Sequence, residues 1–354
     1  MTLPPVLAAR ELAERVLIPD AERVDVEGVR PATVAAIGAA GLLGLAGPPG
    51  YGGADAPASV QREVTEVLAG ADGTTWFVVN QHANPLQSLA RSDNVALKER
   101  YLRAMCTGGA LSGVAVAHLR RPGTPVAVAR TAGGWSFSGT VPWLTGWGVA
   151  DVFLLAGETP AREVVLALVP ARARAGLTAG PPMRLAAMQG SCTVAVELRD
   201  LAVPDADVTE VLRRDDWVEA DRLKTANVSP AVFGLLITVV RHLADTARRR
   251  ADPVAADLAA RLGDEADELR RSAYALLDHV PPYEQVEDRL ALRAAALELG
   301  VRAATSLVAA TGGGAMALSA APQRLAREAL FHLVQAQTGP VREATLRHLR
   351  ERTR

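Results

Sequence analysis

The hydrophobic positions change period twice along the chain. Through residue 110 they keep helical spacing. The stretch PATVAAIGAAGLLGLAGP (31–48) carries Val34, Ile37, Leu42, Leu43 and Leu45 on a near-helical period and breaks at Gly47-Pro48-Pro49. PPGYGG (48–53) predicts a loop, because proline presets φ and glycine allows it to be positive. A second helix starts at Ser59, and a third over 94–109 ends at Gly108-Gly109, where a C-cap belongs. From 111 to 205 the apolar runs are short, rich in valine and punctuated by Pro and Gly. In the last of them Val194, Val196 and Leu198 alternate with Thr193, Ala195, Glu197 and Arg199, the period of a strand with one wet face. This region predicts a small antiparallel barrel or sandwich. Over 206–354 the helical spacing returns. Asp252-Pro253 reads as N-cap and first helical position. Val254, Leu258, Leu262, Ala266, Leu269, Ala273 and Leu276 follow at steps of three and four. A further helix carries Val286, Leu290, Ala294, Leu297, Val301 and Val308 and ends at Gly312-Gly313-Gly314. Such stripes belong to helices packed on each other in a bundle. Three regions result: helical (1–110), β (111–205) and helical again (206–354).

Composition narrows the function only a little. With 354 residues, 49% of them hydrophobic, the chain can bury a large core. A net charge of −1 gives no field to hold nucleic acid or an anionic membrane. No stretch approaches the ~20 uncharged apolar residues of a membrane span. The N-terminus, MTLPPVLAARELAERV, lacks the basic start and cleavage site of a signal peptide. These features predict a cytoplasmic protein with no nucleic-acid and no membrane partner. Cys106 and Cys192 stand far apart without metal spacing and read as reduced packing residues, with no metal site. Arginine outnumbers lysine 36 to 2, a mark of genome composition rather than chemistry. Aromatic residues make up 4% of the chain, yet Trp135, Trp143 and Trp147 fall within thirteen residues of one another.

In its order of helices, a β-domain and a helical bundle, the chain resembles the acyl-CoA dehydrogenase family over nearly its whole length. GLLGLAGPPGYGG (41–53) is similar to the family loop GLLGL…P…YGG. WSFSGTVPWLTGWGVADVFLLAG (135–157) is similar to Y.ING.K.WITNG..AD…V. MQGSCTVAVELRDLAVPDADV (188–208) and GGGAMALSAAPQRLAREALFHL (312–333) are similar to two further family motifs. The resemblance implies an α+β fold: an N-terminal helical domain, a central antiparallel β-barrel or sandwich, and a C-terminal four-helix bundle. It also implies a flavin-dependent oxidoreductase, with FAD as cofactor and FMN as the alternative. The substrate would be a small molecule, an acyl thioester on CoA or a carrier protein, or a relative of one. The assembly would be a homodimer or homotetramer through the C-terminal helices, or a hetero-oligomer. By the same resemblance Trp143 covers one face of the flavin ring and Thr145 reaches its N5, while Gly313 and Gly314 let adenine approach. The alternative is that the tryptophans plug a barrel built from Ala and Val.

Three motifs depart from the family. Its C-terminal glutamate, the base for an acyl thioester α-proton, falls at Ala336, between Gln335 and Gln337, and none of these can accept that proton. Asp221, beside Arg222, stands near the place where some branches carry the carboxylate earlier; the other reading is a solvated helix-start ion pair. The Gly-Ser-Asp of the family's phosphate loop is replaced in AVAHLRRPGTP (115–125) by Arg120-Arg121, which either grip a pyrophosphate or form a solvated turn. The arginine of the cross-subunit motif survives in RRRADPVAADLAARL (248–262), without its Phe-Gly and Gln. A missing carboxylate invites a substitute. His82 lies in a stretch that lines the substrate cavity in the family, His118 lies on the flavin side, and His332 sits one helical turn before the lost glutamate. Each is a candidate, against the reading of a polar residue with a satisfied hydrogen bond. Three functions follow: a dehydrogenase using Asp221 or a histidine, a flavin monooxygenase on the same fold, or a non-catalytic subunit of a hetero-oligomer.

Overall fold

This computed structural model describes residues 4–121, 123 and 126–353. Helices come first: α1 (Pro4–Leu12), α2 (Ile18–Glu27), α3 (Pro31–Ala39), α4 (Ala58–Ala71), α5 (Gly73–Asn80), α6 (Ala83–Arg91) and α7 (Val95–Thr107). A π-helical turn, Ala13–Leu17, joins the first two. The Asp72 carboxylate caps α5 by accepting from the Thr74 and Thr75 amides, and α7 stops at Gly108 with φ 81°.

Among the described residues eight strands follow: β1 (Ser112–Ala115), β2 (Val126–Thr131), β3 (Gly134–Leu144), β4 (Val152–Glu158), β5 (Glu163–Pro170), β6 (Leu177–Ala179), β7 (Val194–Pro204) and β8 (Val208–Arg213). Their order is β6-β7-β3-β2-β4-β5-β8, with β1 beside β4. The pairings are antiparallel except where β1 and β2 meet β4. Along β7, Val194, Val196 and Leu198 face inward as their alternation predicts. β4 and β5 lack that alternation because both their faces are covered. Phe153, Leu155, Val165 and Ala167 join Phe137 and Val141 inside the sheet, while Leu154, Leu166 and Leu168 pack on α6 and α7 through Leu86, Leu89, Leu97 and Leu102.

The chain ends in α8 (Arg214–Ala226), α9 (Pro230–Arg250), α10 (Pro253–His279), α11 (Val286–Thr311), α12 (Ala321–Val334) and α13 (Gly339–Arg352). α9 to α12 share one core, built on Phe233, Leu236, Leu262, Leu297 and Leu325. By length and hydropathy the helical stretches Arg214–Arg250 and Val286–Met316 could cross a membrane, contrary to the reading of the bare sequence. In the fold their apolar faces are spent on each other inside that core. The bundle meets the N-terminal helices where α4 crosses α9. A Cβ on Gly234 would lie 2.2 Å from the Glu66 carbonyl, so only glycine admits this approach.

Candidate functional site

The site starts at the end of β3, where the chain turns through Gly146 and Gly148, both with positive φ. The Gly146 amide donates to the Ser191 carbonyl at 2.9 Å and the Trp147 amide to the Cys192 carbonyl at 3.1 Å. These bonds bring three hydroxyls into line: Thr145 Oγ1 lies 3.1 Å from Thr193 Oγ1, which lies 2.8 Å from Ser191 Oγ. Ser191 is fully buried, and among the described residues its Oγ has no partner except Thr193. Ser191, Thr193 and Thr145 thus form one row of hydroxyls in which either member of each pair can donate, so a Thr145 proton can be offered to an acceptor outside the row. Two residues earlier, Trp143 keeps 44% of its surface in solvent. Trp135 and Trp147 instead pack against the barrel core, with the Arg130 guanidinium 4.7 Å above the Trp135 ring.

α5 connects this corner to the bundle. Val78 lies against Gly146, and Trp76 lies against His332 of α12, ring centroids 5.5 Å apart. A second polar group gathers beyond it. Arg120 holds Asp221 by two bonds of 2.8 and 2.7 Å. Arg293, on α11, donates to the Thr225 carbonyl and, at 2.8 Å, to the Gln335 carbonyl at the end of α12. Ala336 follows with φ 49°.

The proposed bases are placed as follows. Asp221 has both oxygens engaged by one guanidinium, so it serves first as the counter-ion of Arg120. Arg120 is thereby an ion-pair partner rather than an unengaged phosphate ligand. Pro122, Thr124 and Pro125 of the same loop lie outside the described residues. His82 is a satisfied core histidine: Nδ1 accepts from the Ser112 amide at 2.9 Å, and Nε2 donates to the Met105 carbonyl at 3.1 Å. Burial pushes it down to about 4. His118 donates from Nε2 to the Ala156 carbonyl at 3.0 Å, is buried, and is pushed down to about 4 by that burial. It ties its turn to β4, and its Nδ1, like that of His332, has no partner among the described residues. His332 is also pushed to about 4, by burial and by Arg293, against the pull of Gln335. Its Nδ1 has no partner among the described residues. Its ring is neutral at pH 7. Gly313 and Gly314 sit in an exposed turn, where an added Cβ would meet nothing within 4 Å. Among the described residues no group of His, Cys, Asp or Glu forms a metal site.

The sequence reading passed over Ser191, Thr193 and Arg293. For Arg293 a signal existed. Arg289 and Arg293 stand one turn apart on the stripe of Leu290, Ala294 and Leu297, so two arginines face inward.

A separate buried cluster holds the N-terminal helices to α12. Arg324 donates to Glu328 at 2.7 Å and to Glu22 at 3.2 Å, and Arg327 donates to Asp25 at 2.6 Å. Gly73 lets the Glu328 carboxylate approach; a Cβ there would lie 2.7 Å from its carbon. Burial pushes Glu328 up to about 7 against the pull of Arg324, and Asp72 up to about 6 against its bonds from Thr75. Both bind a proton more tightly folded than unfolded, where 4.5 and 3.8 apply. Their contribution to stability is whole below those values and is lost as pH rises through about 6 and 7. The melting temperature should therefore fall from about pH 4 to about pH 7 and level off above, and Glu328→Gln should flatten that fall. A wild-type melt highest at the alkaline end would refute the assignment.

A helical domain, a barrel with an exposed tryptophan, and a helical bundle make up the acyl-CoA dehydrogenase-like fold. The chain is similar to the acyl-CoA dehydrogenases in sequence and fold. Residues 6–109 match the family model for the acyl-CoA dehydrogenase N-terminal domain. A probable acyl-CoA dehydrogenase of Bacillus subtilis is 22% identical over 347 residues, 90% of each chain. The mitochondrial very long-chain specific acyl-CoA dehydrogenase of Bos taurus is 24% identical over 208 residues, 53% of this chain and 31% of that one. The match thus spans about a third of that longer relative. The butyryl-CoA dehydrogenase of Megasphaera elsdenii superposes with a TM-score of 0.82 at 16% identity, covering 99% of this chain and 98% of that one. The residues at the end of β3 would fit a flavin ring: Trp143 has an exposed apolar face and Thr145 a hydroxyl able to donate.

Proposed function

We propose that this protein is an FAD-dependent oxidoreductase that oxidises an acyl thioester or a related small molecule without a carboxylate base at the family's C-terminal position. The row of hydroxyls from Ser191 through Thr193 to Thr145 supports this most. It sets a hydroxyl able to donate two residues from an exposed indole, which suits an electron-rich ring nitrogen. When bound, the flavin supplies the oxidant. Trp143 offers one face for the ring, Thr145 donates a hydrogen bond, and Ser191 and Thr193 hold its hydroxyl in the row. His332, neutral and buried beside the lost carboxylate's place, is the remaining proton acceptor.

Purified protein should bind FAD with a flavin absorbance spectrum, and mass spectrometry of the released cofactor separates FAD from FMN. Thr145→Val removes one donor and should weaken FAD about tenfold, with Trp143→Ala at least as costly. Unchanged affinity in both variants would sink the reading. Monooxygenation on the same fold is a second reading, favoured by Ala336 standing where a carboxylate would remove a proton. Its mark is incorporation of labelled oxygen from O₂ into the product.

We further propose assembly into a dimer or tetramer through the C-terminal helices. Leu330, Val334 and Leu346 are exposed there, with Met316 and Leu318 beside them in sequence on the preceding turn. Light scattering at micromolar concentration should give twice or four times the monomer mass, and a monomer would overturn the proposal.

A further inference from the structure

α12 turns one buried polar stripe toward α5. Arg324, Glu328 and His332 follow at steps of four, one above the other on the same face. Against them α5 sets Gly73 and, one turn on, Trp76. A Cβ on Gly73 would lie 2.8 Å from Glu328 Oε2, so that oxygen lies against the α5 backbone. The Trp76 and His332 ring centroids are 5.5 Å apart. Glu328, His332 and Trp76 are 1%, 4% and 1% exposed. Each keeps one buried polar atom without a partner among the described residues: Glu328 Oε2, His332 Nδ1 and Trp76 Nε1. Buried polar atoms are bonded to protein or to ordered water, and three in one seam call for a common partner. Side chains one helical turn apart stand about 5–6 Å from each other at Cβ, a gap that two hydrogen bonds of about 2.8 Å bridge through one atom. The three atoms also suit a single water in kind. The indole N–H only donates and an ionised carboxylate only accepts. A water that accepts from Trp76 and donates to Glu328 has one lone pair left, which takes an N–H at His332 Nδ1.

We propose that one ordered water joins Trp76 Nε1, His332 Nδ1 and Glu328 Oε2, and that through it Glu328 positions His332 and receives its proton. The bond fixes the Nδ1–H tautomer and leaves the lone pair on Nε2. When Nε2 takes up a proton, the Nδ1–H bond breaks toward the water. The water gives up one of its own protons, and Glu328 Oε2 binds it. The imidazole ends neutral with its proton on Nε2, and the carboxylate ends as a carboxylic acid. The buried ring thus holds no lasting charge in the field of Arg293, which disfavours one. Release runs the same steps backwards. The charged groups facing Glu328 are Arg324 on its own helix, Asp72 at the cap of α5 and Asp25 on α2. Burial outweighs the pull of Arg324 and sets the carboxyl at about 7, where it both takes and returns a proton near neutral pH. The inference rests on the preceding reading only in taking His332 as the proton acceptor for an acyl thioester.

The test is nitrogen NMR of the full-length protein labelled at histidine, with the His332 signals identified by their loss in His332→Asn. Expected in wild type is the Nδ1–H tautomer at about pH 8. Both ring nitrogens should also shift with a midpoint of about pH 7 while the ring itself stays neutral. Glu328→Gln keeps an oxygen that accepts from the water but does not titrate, so it should hold the tautomer and lose the step. The Nε2–H tautomer in wild type, or a step that survives in Glu328→Gln, overturns the proposal. So does a crystal structure with no water within hydrogen-bond reach of both Oε2 and Nδ1. With an acyl-CoA that bleaches the bound flavin, Glu328→Gln should lower the limiting rate about 10²-fold at about pH 8 and leave substrate affinity unchanged, the lower end of what proton-transfer assistance supplies. An unchanged rate overturns the proposal. A protein that shows the tautomer and the step but bleaches with no acyl-CoA would sink the acyl thioester reading and leave this inference standing.

Discussion

Arg324→Met should destabilise the protein by about 3–5 kcal/mol at about pH 8, the cost of stranding a buried charge. Arg324 is 3% exposed and is the cation that Glu328 bonds directly. Glu328 is 1% exposed, its Oε2 already has no partner, and the carboxylates of Asp72 and Asp25 press on it. Remove Arg324 and nothing offsets the Glu328 charge. The loss must depend on pH with a definite sign. Arg324 holds Glu328 below where burial alone would put it, so in the variant the carboxyl takes up its proton at still higher pH. Below about pH 6 it is neutral in folded variant and wild type alike, and the deficit should shrink. Urea melts at both pH values measure this. Equal deficits at both would mean that lost packing of the arginine stem, not charge, dominates. The pair Arg324→Leu, Glu328→Leu should recover much of the loss, since replacing both members of a buried pair is often close to neutral.

The fold was legible because burial writes itself into spacing. The α10 and α11 stripes and the β7 alternation each name a face, and the sheet and bundle follow from covering those faces. The all-apolar runs of β4 and β5 mark strands covered on both sides, by the barrel interior and by α6 and α7. The site was legible only in part, because its contacts join segments far apart in the chain. Arg120 and Asp221 were each singled out, for different reasons, and their pairing across 101 residues was not foreseeable from either. His82 carries no sequence mark of its two partners, Met105 and Ser112. Thr145 was named through resemblance, but what orients its hydroxyl are Ser191 and Thr193, nearly fifty positions on in the chain. Only Arg293 could have been caught, as a cation on an apolar stripe.

Ala336→Glu should raise the anaerobic rate of flavin bleaching by an acyl-CoA by about 10²–10⁴-fold over wild type, the usual scale of general-base catalysis. The substitution restores a carboxylate where the family keeps one. Two features make it tolerable. Ala336 already carries a Cβ at φ 49°, so glutamate adds no new class of backbone strain there. Arg293 donates to the carbonyl of the preceding residue, so the new charge enters beside a buried cation that lacks a carboxylate of its own. The same cation keeps the glutamate ionised and able to accept a proton, at the cost of some basicity. A panel of acyl-CoAs of different chain length, with absorbance followed after mixing, decides the matter. Fast bleaching by wild type would show that the chain already has its base, with His332 the first to replace. No bleaching by either protein, with FAD bound in both, would remove the acyl thioester from the reading. It would leave monooxygenation, which has no α-proton to abstract and for which the buried Arg293 beside Gln335 is no handicap.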